Sequence, residues 1–146
     1  MSRPTRAPDE MATQLTRLLR ATCPIGMISV YLFGSHAEHR EHRESDVDVG
    51  VLLDRATYLN EEARFTERVR LSAWLAAELR VSVVDLVVLN DAPPGLASRI
   101  VTKGAPVYCA APEVDHAFRR DVQLRAADLE PFLRRMRRLK LAALTR

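Results

Sequence analysis

Cysteine and long apolar runs are both scarce in this sequence. Its 146 residues include only two cysteines, Cys23 and Cys109, which lie far apart and have no Cys or His beside them at metal-ligand spacing. This pattern excludes a disulfide framework and a zinc ribbon, and it predicts two buried, reduced thiols. No apolar run approaches the roughly 18 residues of a membrane helix, and the first residues lack the apolar stretch of a secretory signal. We therefore expect a cytoplasmic protein with no membrane partner.

An excess of one charge is also missing, except near the C-terminal end. The formal net charge is +3, yet residues 118–146 carry nine Arg or Lys against three Asp or Glu. Aromatic residues make up only 5% of the chain. This composition is not typical of a general nucleic-acid-binding protein, so nucleic acid is not an expected partner. The basic cluster from Arg134 to Lys140 is interpreted as a solvated helix face, and a docking face for an acidic partner or RNA is the alternative.

Internal repeats, low-complexity tracts and Gly/Ser linkers are absent as well. We therefore predict a single domain over residues 1–146, with a core over about 8–110 and a C-terminal helical segment over about 112–146. The apolar periodicity alternates between helical and strand spacing along the chain. This alternation predicts an α+β fold, in which helices flank a small mixed β-sheet.

The apolar spacing also predicts individual elements. The run over 81–89 is nearly all apolar, so it is interpreted as a central strand covered on both faces. In the helix over 58–80, Phe65 and Val69 belong to the apolar positions at helical spacing, and Trp74 is interpreted as a packing residue. Asp128 is interpreted as the N-cap of a separate last helix. The remaining predicted elements are helices over 8–21, 93–101 and from 114 onward, and strands over 27–33, 46–53 and 106–109. The last helix would carry an apolar stripe of Leu129, Phe132, Leu133, Met136 and Leu139.

Three aspartates occupy strand positions, where aspartate is uncommon. Asp46 and Asp48 are two residues apart and therefore project from the same face of one strand. Asp85 interrupts the apolar run of a later strand, where an ionised carboxylate needs a cation or a donor. If the two strands are adjacent, the three carboxylates converge, and Mg²⁺ is the cation that hard oxygen ligands of this kind favour. The alternative is a solvated strand end and an ion pair between Asp85 and an arginine.

The segment before these carboxylates has the features of a phosphate site. Gly34 and Ser35 follow a strand and precede a polar stretch of helical character. Such a turn presents backbone N–H groups, a hydroxyl and the positive end of a helix to phosphate oxygens. An ordinary turn followed by an N-cap has the same local sequence. The position of Gly34 and Ser35 upstream of the carboxylate pair favours the phosphate interpretation.

These residues resemble a known family. Gly34-Ser35, ten intervening residues and Asp46-Val47-Asp48 reproduce the G-S-x10-D-x-D signature of the polymerase-β-like nucleotidyltransferases, and Asp85 matches their third carboxylate. The spacing and the small size are most similar to the minimal nucleotidyltransferases, in particular the antitoxins paired with HEPN-domain toxins. The resemblance covers roughly residues 10–110 and includes the turn over 89–94. It departs at His36 and His39, where many members have Arg and Gly.

The resemblance implies a function and a set of site residues. Gly34 and Ser35 would bind the nucleotide triphosphate. Asp46, Asp48 and Asp85 would be the catalytic residues and the ligands of two Mg²⁺ ions, with ATP as the substrate. The expected reaction is the transfer of AMP to a hydroxyl, a tyrosine, of a cognate HEPN toxin, whose RNase activity it would silence. The toxin is the expected partner, in a hetero-oligomer.

Two other functions remain open at this point. One is a small-molecule nucleotidyltransferase of the aminoglycoside-modifying kind, and the other is a non-catalytic antitoxin that acts by binding alone. His36, His39 and His42 recur every three residues, and a solvated face is favoured over a zinc site for them. Arg40 and Arg43 are candidates for contact with a triphosphate or with an acidic partner.

Overall fold

A mixed four-stranded sheet with helices on both faces organises the chain. The computed structural model describes residues 8–34 and 47–144. The α+β class predicted from the apolar periodicity is confirmed. Along the chain the elements are α1 (Pro8–Thr22), β1 (Met27–Phe33), β2 (Val47–Leu53), α2 (Glu61–Leu79), β3 (Val84–Val88), a 3₁₀ turn (Leu89–Asp91), α3 (Pro94–Lys103), β4 (Ala105–Cys109) and α4 (Pro112–Leu144).

The strand order places β1 and β2 in the middle of the sheet. The order is β3-β2-β1-β4, in which β1 pairs antiparallel with β2 and β4, and β2 pairs parallel with β3. A parallel pair requires a crossover connection, which α2 supplies. As a result, β2 and β3 begin at the same end of the sheet, and β1 ends there.

The two faces of the sheet bury two separate apolar clusters. Alternate residues of β2 point to opposite faces, so Val47, Val49 and Val51 join α1 and α2 while Leu52 joins α3 and α4. Gly50 lies on the second face, where an added Cβ would be 2.8 Å from Ile100 of α3. The absence of a side chain at this position therefore lets α3 pack closely on the sheet. Within the described residues no helix is long and apolar enough to cross a membrane.

Strand β3 is an edge strand, so the prediction of a central strand over 81–89 is wrong. Val84, Leu86 and Val88 are buried against α2, whereas Asp85 on the opposite face is exposed. The strand is therefore fully covered on one face only. Val83, which precedes it in the apolar run, is 45% exposed. Side chains of α2 also bond to the free edge of β3. Arg68 Nε donates to the carbonyl of Leu86 at 2.8 Å, and Ser72 Oγ donates to that of Val84 at 2.5 Å.

Helix α2 buries a narrower face than its apolar spacing predicts. Asn60 caps its N-terminus by accepting a hydrogen bond from the N–H of Ala63, which satisfies one of the unpaired donors there. The buried residues lie four apart, whereas Phe65 and Val69 are 58% and 56% exposed, so their predicted burial is wrong. The reason is the edge position of β3, because α2 then covers the sheet along a single row. That row is Glu67, Leu71, Leu75 and Leu79, and Trp74 packs beside it as predicted.

Two further predictions are wrong. Helix α4 is continuous from residue 112 to residue 144, so no new helix begins at Asp128. One proline removes one backbone hydrogen bond, and the strong helix formers on either side of residue 131 keep the segment helical. Cys23 and Cys109 are exposed rather than buried, although both are free thiols. Cys23 lies just beyond α1, and Cys109 is the last residue of the edge strand β4.

Candidate active site

The first feature of the site is a pair of carboxylates on neighbouring strands. Asp48 of β2 and Asp85 of β3 are direct register partners in the parallel ladder. Neighbouring strands lie about 4.8 Å apart, and register partners point to the same face. The apolar residues that flank each aspartate point to the α1 and α2 face. The two carboxylates therefore project side by side from the opposite face, near the start of both strands.

Gly34 closes the site on its other side. It follows β1, whose last residue, Phe33, is the register partner of Asp48. Its φ of +87° lies in the left-handed region, which glycine adopts without steric penalty. A Cβ added to Gly34 would lie 2.5 Å from Oδ2 of Asp48 and 2.9 Å from its Cγ. The turn after β1 thus brings the backbone of Gly34 directly against the Asp48 carboxylate, and only glycine fits there.

The two carboxylates differ sharply in their surroundings. Asp48 is only 3% exposed, whereas Asp85 is exposed at the edge of the sheet. A buried carboxylate is costly unless hydrogen bonds or a cation compensate its charge. An exposed carboxylate remains solvated and open to a molecule that approaches the sheet edge. The expectation that Asp85 is enclosed by apolar neighbours is therefore wrong, because only one face of β3 is covered.

The remaining predicted site residues lie outside the described part of the chain. Ser35 and Asp46 fall between residues 34 and 47, as do the histidines and arginines considered as ligands or triphosphate contacts. The structure therefore brings together Gly34, Asp48 and Asp85 out of the five residues named from the sequence. Over residues 8–34 and 47–144, no group of three or more His, Cys, Asp or Glu is arranged to hold a metal ion.

The donor set nevertheless fits a hard divalent cation. Asp48 and Asp85 offer four carboxylate oxygens from adjacent positions on one face of the sheet. Mg²⁺ is held in proteins by one or two carboxylates together with water and substrate phosphates, rather than by a complete cage of side chains. Two adjacent carboxylates are sufficient for such a site. The absence of a side chain at Gly34 is what allows the Asp48 carboxylate to lie against the backbone there.

The turn after β3 holds the ends of β2 and β3 that lie away from the carboxylates, and its role was not predicted. The side-chain amide of Asn90 accepts from the N–H of Leu53 and donates to its carbonyl, both at 2.9 Å. Arg64 of α2 donates to both carboxylate oxygens of Asp91, at 2.8 and 2.9 Å. These contacts fix the ends of β2 and β3 relative to α2. The polar pair Asn90-Asp91 inside an apolar turn was the available sequence signal.

A second polar contact that was not predicted anchors α4 to the sheet. The hydroxyls of Ser29 and Tyr31, both on β1, donate to the same oxygen of Asp115 at 2.6 and 2.5 Å. Arg119 lies over the Tyr31 ring, 5.9 Å from its centroid. Burial raises the pKa of Tyr31, and the hydrogen bond to Asp115 raises it further. The neutral hydroxyl is therefore retained as a donor, and the first two turns of α4 are fixed on β1.

Comparisons with known proteins show the family to which the chain belongs. Residues 17–113 match the family model described as polymerase beta, nucleotidyltransferase, a range that includes all five predicted site residues. The protein adenylyltransferase MntA of Shewanella oneidensis is 34% identical over 95 residues, which is 65% of this chain. The match spans 63% of the length of that curated relative.

Solved structures share the fold over nearly the whole chain. A crystal structure of a toxin–antitoxin complex with AMP-PNP contains a chain that is 28% identical, with a TM-score of 0.58. The alignment covers 92% of this chain and 98% of that one. A crystal structure of the toxin–antitoxin pair MntA–HepT contains a chain that is 25% identical, with a TM-score of 0.56 and coverage of 92% and 97%.

Proposed function

The chain belongs to the polymerase beta nucleotidyltransferase family, and we propose on that basis that it transfers AMP from ATP to a hydroxyl of a partner protein. The acceptor would be a tyrosine of a cognate HEPN-type toxin, and this chain would act as the antitoxin. The reaction would take place in the cytoplasm, where ATP is available. The activity, the substrate and the partner are all part of the proposal.

One observation carries the proposal. The backbone of Gly34 lies against the carboxylate of Asp48, which in turn is the register partner of Asp85. Three segments far apart in sequence therefore meet at one end of the sheet. A buried carboxylate, an exposed carboxylate and a glycine that admits close approach make up a site for a phosphate chain with its cations.

Each residue has a distinct role in the proposed mechanism. Gly34 and Ser35 would bind the triphosphate through backbone N–H groups and the serine hydroxyl. Asp46, Asp48 and Asp85 would hold two Mg²⁺ ions. When bound, Mg²⁺ lowers the pKa of the acceptor hydroxyl and neutralises the charge of the departing pyrophosphate. Asp85 is exposed, so an acceptor that approaches the sheet edge can pass its hydroxyl proton to that carboxylate.

The proposed step balances without a covalent enzyme intermediate. A bond forms between the acceptor oxygen and the α-phosphorus of ATP as the bond from that phosphorus to the bridging oxygen breaks. Pyrophosphate leaves with the bonding electrons, and the acceptor proton passes to Asp85. The contribution of the enzyme is positioning and charge stabilisation, as in other phosphoryl-group transfers.

The identity of the acceptor is supported by the relatives. MntA of Shewanella oneidensis is named a protein adenylyltransferase, and the similar solved structures are toxin–antitoxin complexes, one of them with AMP-PNP. A protein acceptor also agrees with the architecture. Apart from α4, the described chain is used up by the sheet and the helices that cover it, so no further element encloses a small acceptor.

Intact mass spectrometry tests the proposal directly. The chain is incubated with Mg²⁺, with each nucleoside triphosphate in turn, and with the protein encoded by the neighbouring gene. We expect the mass of the partner to rise by one or more AMP units with ATP, and we expect its RNase activity to fall in parallel. Peptide mapping would locate the modified hydroxyl.

The controls separate this function from its alternatives. Asp48→Asn should abolish the mass increase, whereas Asp121→Asn, at an exposed aspartate of α4, should leave it unchanged. If the Asp48→Asn variant still silences the toxin fully and wild type adds no mass, the chain acts by binding alone and the proposal is wrong. Nucleotidyl transfer to an aminoglycoside, with none to the protein, would identify a small-molecule enzyme instead.

A further inference from the structure

Helix α4 extends far beyond the sheet that anchors it. Its last buried residue is Val122, and described side chains beyond that point are exposed or, at Ala126, half-buried. The segment from residue 123 to residue 144 is about 33 Å long at 1.5 Å per residue. It carries six large apolar side chains that are exposed, and four of them, between residues 132 and 139, form what we call the distal face. This distal face consists of Phe132 (57% exposed), Leu133 (45%), Met136 (45%) and Leu139 (58%).

The distal face continues the row by which α4 packs on the sheet. Phe118 and Val122 contact the cluster that contains Tyr31, and the apolar positions 129, 132, 136 and 139 continue the same row after an interruption at Arg125. Apolar residues at this spacing form one stripe along a helix, and such a stripe packs against another helix. The stripe therefore has one part covered by the sheet and one part open to a further partner.

Cations surround the distal face. Residues 132–143 contain four arginines and one lysine and no acidic residue. At about 100° per residue, Arg135 and Arg137 lie on the two flanks of Met136, whereas Arg134 and Arg138 lie on the far side of the helix. Like charges three and four residues apart destabilise an isolated helix. An acidic partner would therefore stabilise the helix itself as well as the contact.

This charge pattern favours one kind of binding partner for the distal face over the others. A second copy of the chain would bring the five cations of residues 132–143 against the same five, and this range has no carboxylate to compensate them. A nucleic acid would satisfy the cations, but its phosphates have no favourable contact with the apolar centre of the face. An apolar stripe flanked by carboxylates complements both parts of the surface.

We propose that the distal face of α4 is the docking surface for an acidic, amphipathic helix of the protein that supplies the acceptor hydroxyl. This inference rests on the proposed function for the identity of the partner and specifies how that partner is held. Binding would bury the apolar centre of the face. Carboxylates of the partner would lie against Arg135 and Arg137.

The position of α4 relative to the carboxylates supports this arrangement. Strand β4 ends at Cys109 opposite Ser29, so α4 begins at the end of the sheet away from Gly34. The helix then crosses the face that carries Ser29, Tyr31 and Asp115, the same face from which Asp48 and Asp85 project. A partner held by the distal face is therefore attached to the side of the sheet on which the reaction would occur.

The experiment measures binding without catalysis. The dissociation constant between the full chain and the protein encoded by the neighbouring gene is determined in EDTA without nucleotide, at low and at high salt. We expect Met136→Ser/Leu139→Ser to weaken binding at least tenfold. A control at exposed apolar residues elsewhere, Ile25→Ser/Leu59→Ser, should leave it unchanged.

A second pair of variants tests the charges on the same helix. Arg135→Glu/Arg137→Glu should weaken binding at least tenfold and reduce its salt dependence. Arg134→Glu/Arg138→Glu makes the same change in net charge on the far side and should have a much smaller effect. Circular dichroism and melting temperature establish that each variant is folded, which the exposure of these positions favours.

The outcomes are distinct. Equal loss of binding in both arginine pairs, or wild-type binding by the Met136→Ser/Leu139→Ser variant, would overturn the docking proposal. Dimerisation that depends on the distal face would identify a second copy as the occupant, and RNA binding lost only in the arginine variants would identify a nucleic acid. Face-dependent binding with no AMP transfer on adding ATP and Mg²⁺ would contradict the proposed function alone. Absence of any complex would contradict both.

Discussion

The carboxylate end of the sheet buries a charged side chain, whereas the distal half of α4 exposes apolar side chains. At the sheet, Asp48 is 3% exposed although it is charged, whereas on α4 Phe132 is 57% exposed although it is apolar. Buried charge and exposed apolar surface both have a free-energy cost that matching contacts must offset. In our proposals such contacts would come from cations and phosphates in one case and from an apolar, acidic helix in the other.

The two regions also differ in how many contacts with the rest of the fold hold them in place. The carboxylates lie on adjacent, hydrogen-bonded strands whose far ends are held by Asn90 and by the ion pair between Arg64 and Asp91. The distal helix extends beyond the sheet, and its described side chains are exposed or, at Ala126, half-buried. Chemistry requires groups held in a fixed geometry, whereas a docking surface can order further when the partner binds. The comparison predicts large effects of substitution on activity at the sheet and small effects on folding at the distal helix.

The largest expected effect is the loss of AMP transfer in Asp48→Asn. The substitution removes one charge and hardly changes side-chain volume, and loss of such charge stabilisation lowers rates by about a hundredfold or more. Because asparagine keeps the shape of the side chain, the fold itself should be retained. Transfer rates from intact mass and unfolding by urea check the two parts. A strongly destabilised variant would mean that Asp48 supports the fold rather than the reaction.

Gly34→Ala should destabilise the protein by about 1–3 kcal/mol, since the methyl group meets Asp48 at a backbone conformation unfavourable for alanine. It should also impair transfer. The matched control is Gly95→Ala in α3, where an added Cβ has no atom within 4 Å and alanine should stabilise the helix by about 0.5–1 kcal/mol. Equal effects at both positions would show that the contact between Gly34 and Asp48 is unimportant.

Tyr31→Phe tests the anchor between the two regions. Loss of the hydrogen bond to Asp115 should lower the free energy of unfolding by about 1.5 kcal/mol at neutral pH. Because folding raises the pKa of Tyr31, its contribution is fully present below pH 10 and decreases as the pH rises above 10. Urea unfolding from pH 8 to pH 11 should therefore show a shallower decline in the variant. An unchanged decline would contradict the cited pKa shift.

The smallest expected effect is that of Met136→Ala on folding. Its side chain is 45% exposed and covered by no described element, so the free energy of unfolding should change by less than about 0.5 kcal/mol. The same substitution at the buried Met11, which is 2% exposed, should cost about 2–5 kcal/mol. A large loss at Met136 would show that the distal face is already covered in the isolated chain.

Local patterns predicted most of the elements of the fold. Strands β1 and β4 and helices α1 and α3 follow from alternation, apolar runs and prolines at their boundaries. The adjacency of the Asp48 and Asp85 strands was only a condition in the sequence analysis, and the sheet pairing fulfils it. The position of β3 in the sheet did not follow, because a nearly continuous apolar run is compatible with both a central and an edge strand. The continuity of α4 past residue 131 did not follow either, because capping signals act locally while the helix formers on both sides act over several turns.

The sequence by itself determined which residues carry the proposed chemistry. The chain itself contains the signature that indicates the family, without knowledge of the fold. This signature consists of the spacing of Gly34, Ser35, Asp46 and Asp48, together with the isolated Asp85. Tertiary structure alone decided how Asp48 and Asp85 differ, since burial depends on which strand has a neighbour on each side. It also decided that the distal face of α4 is exposed, because the helix extends beyond the sheet on which its first turns pack.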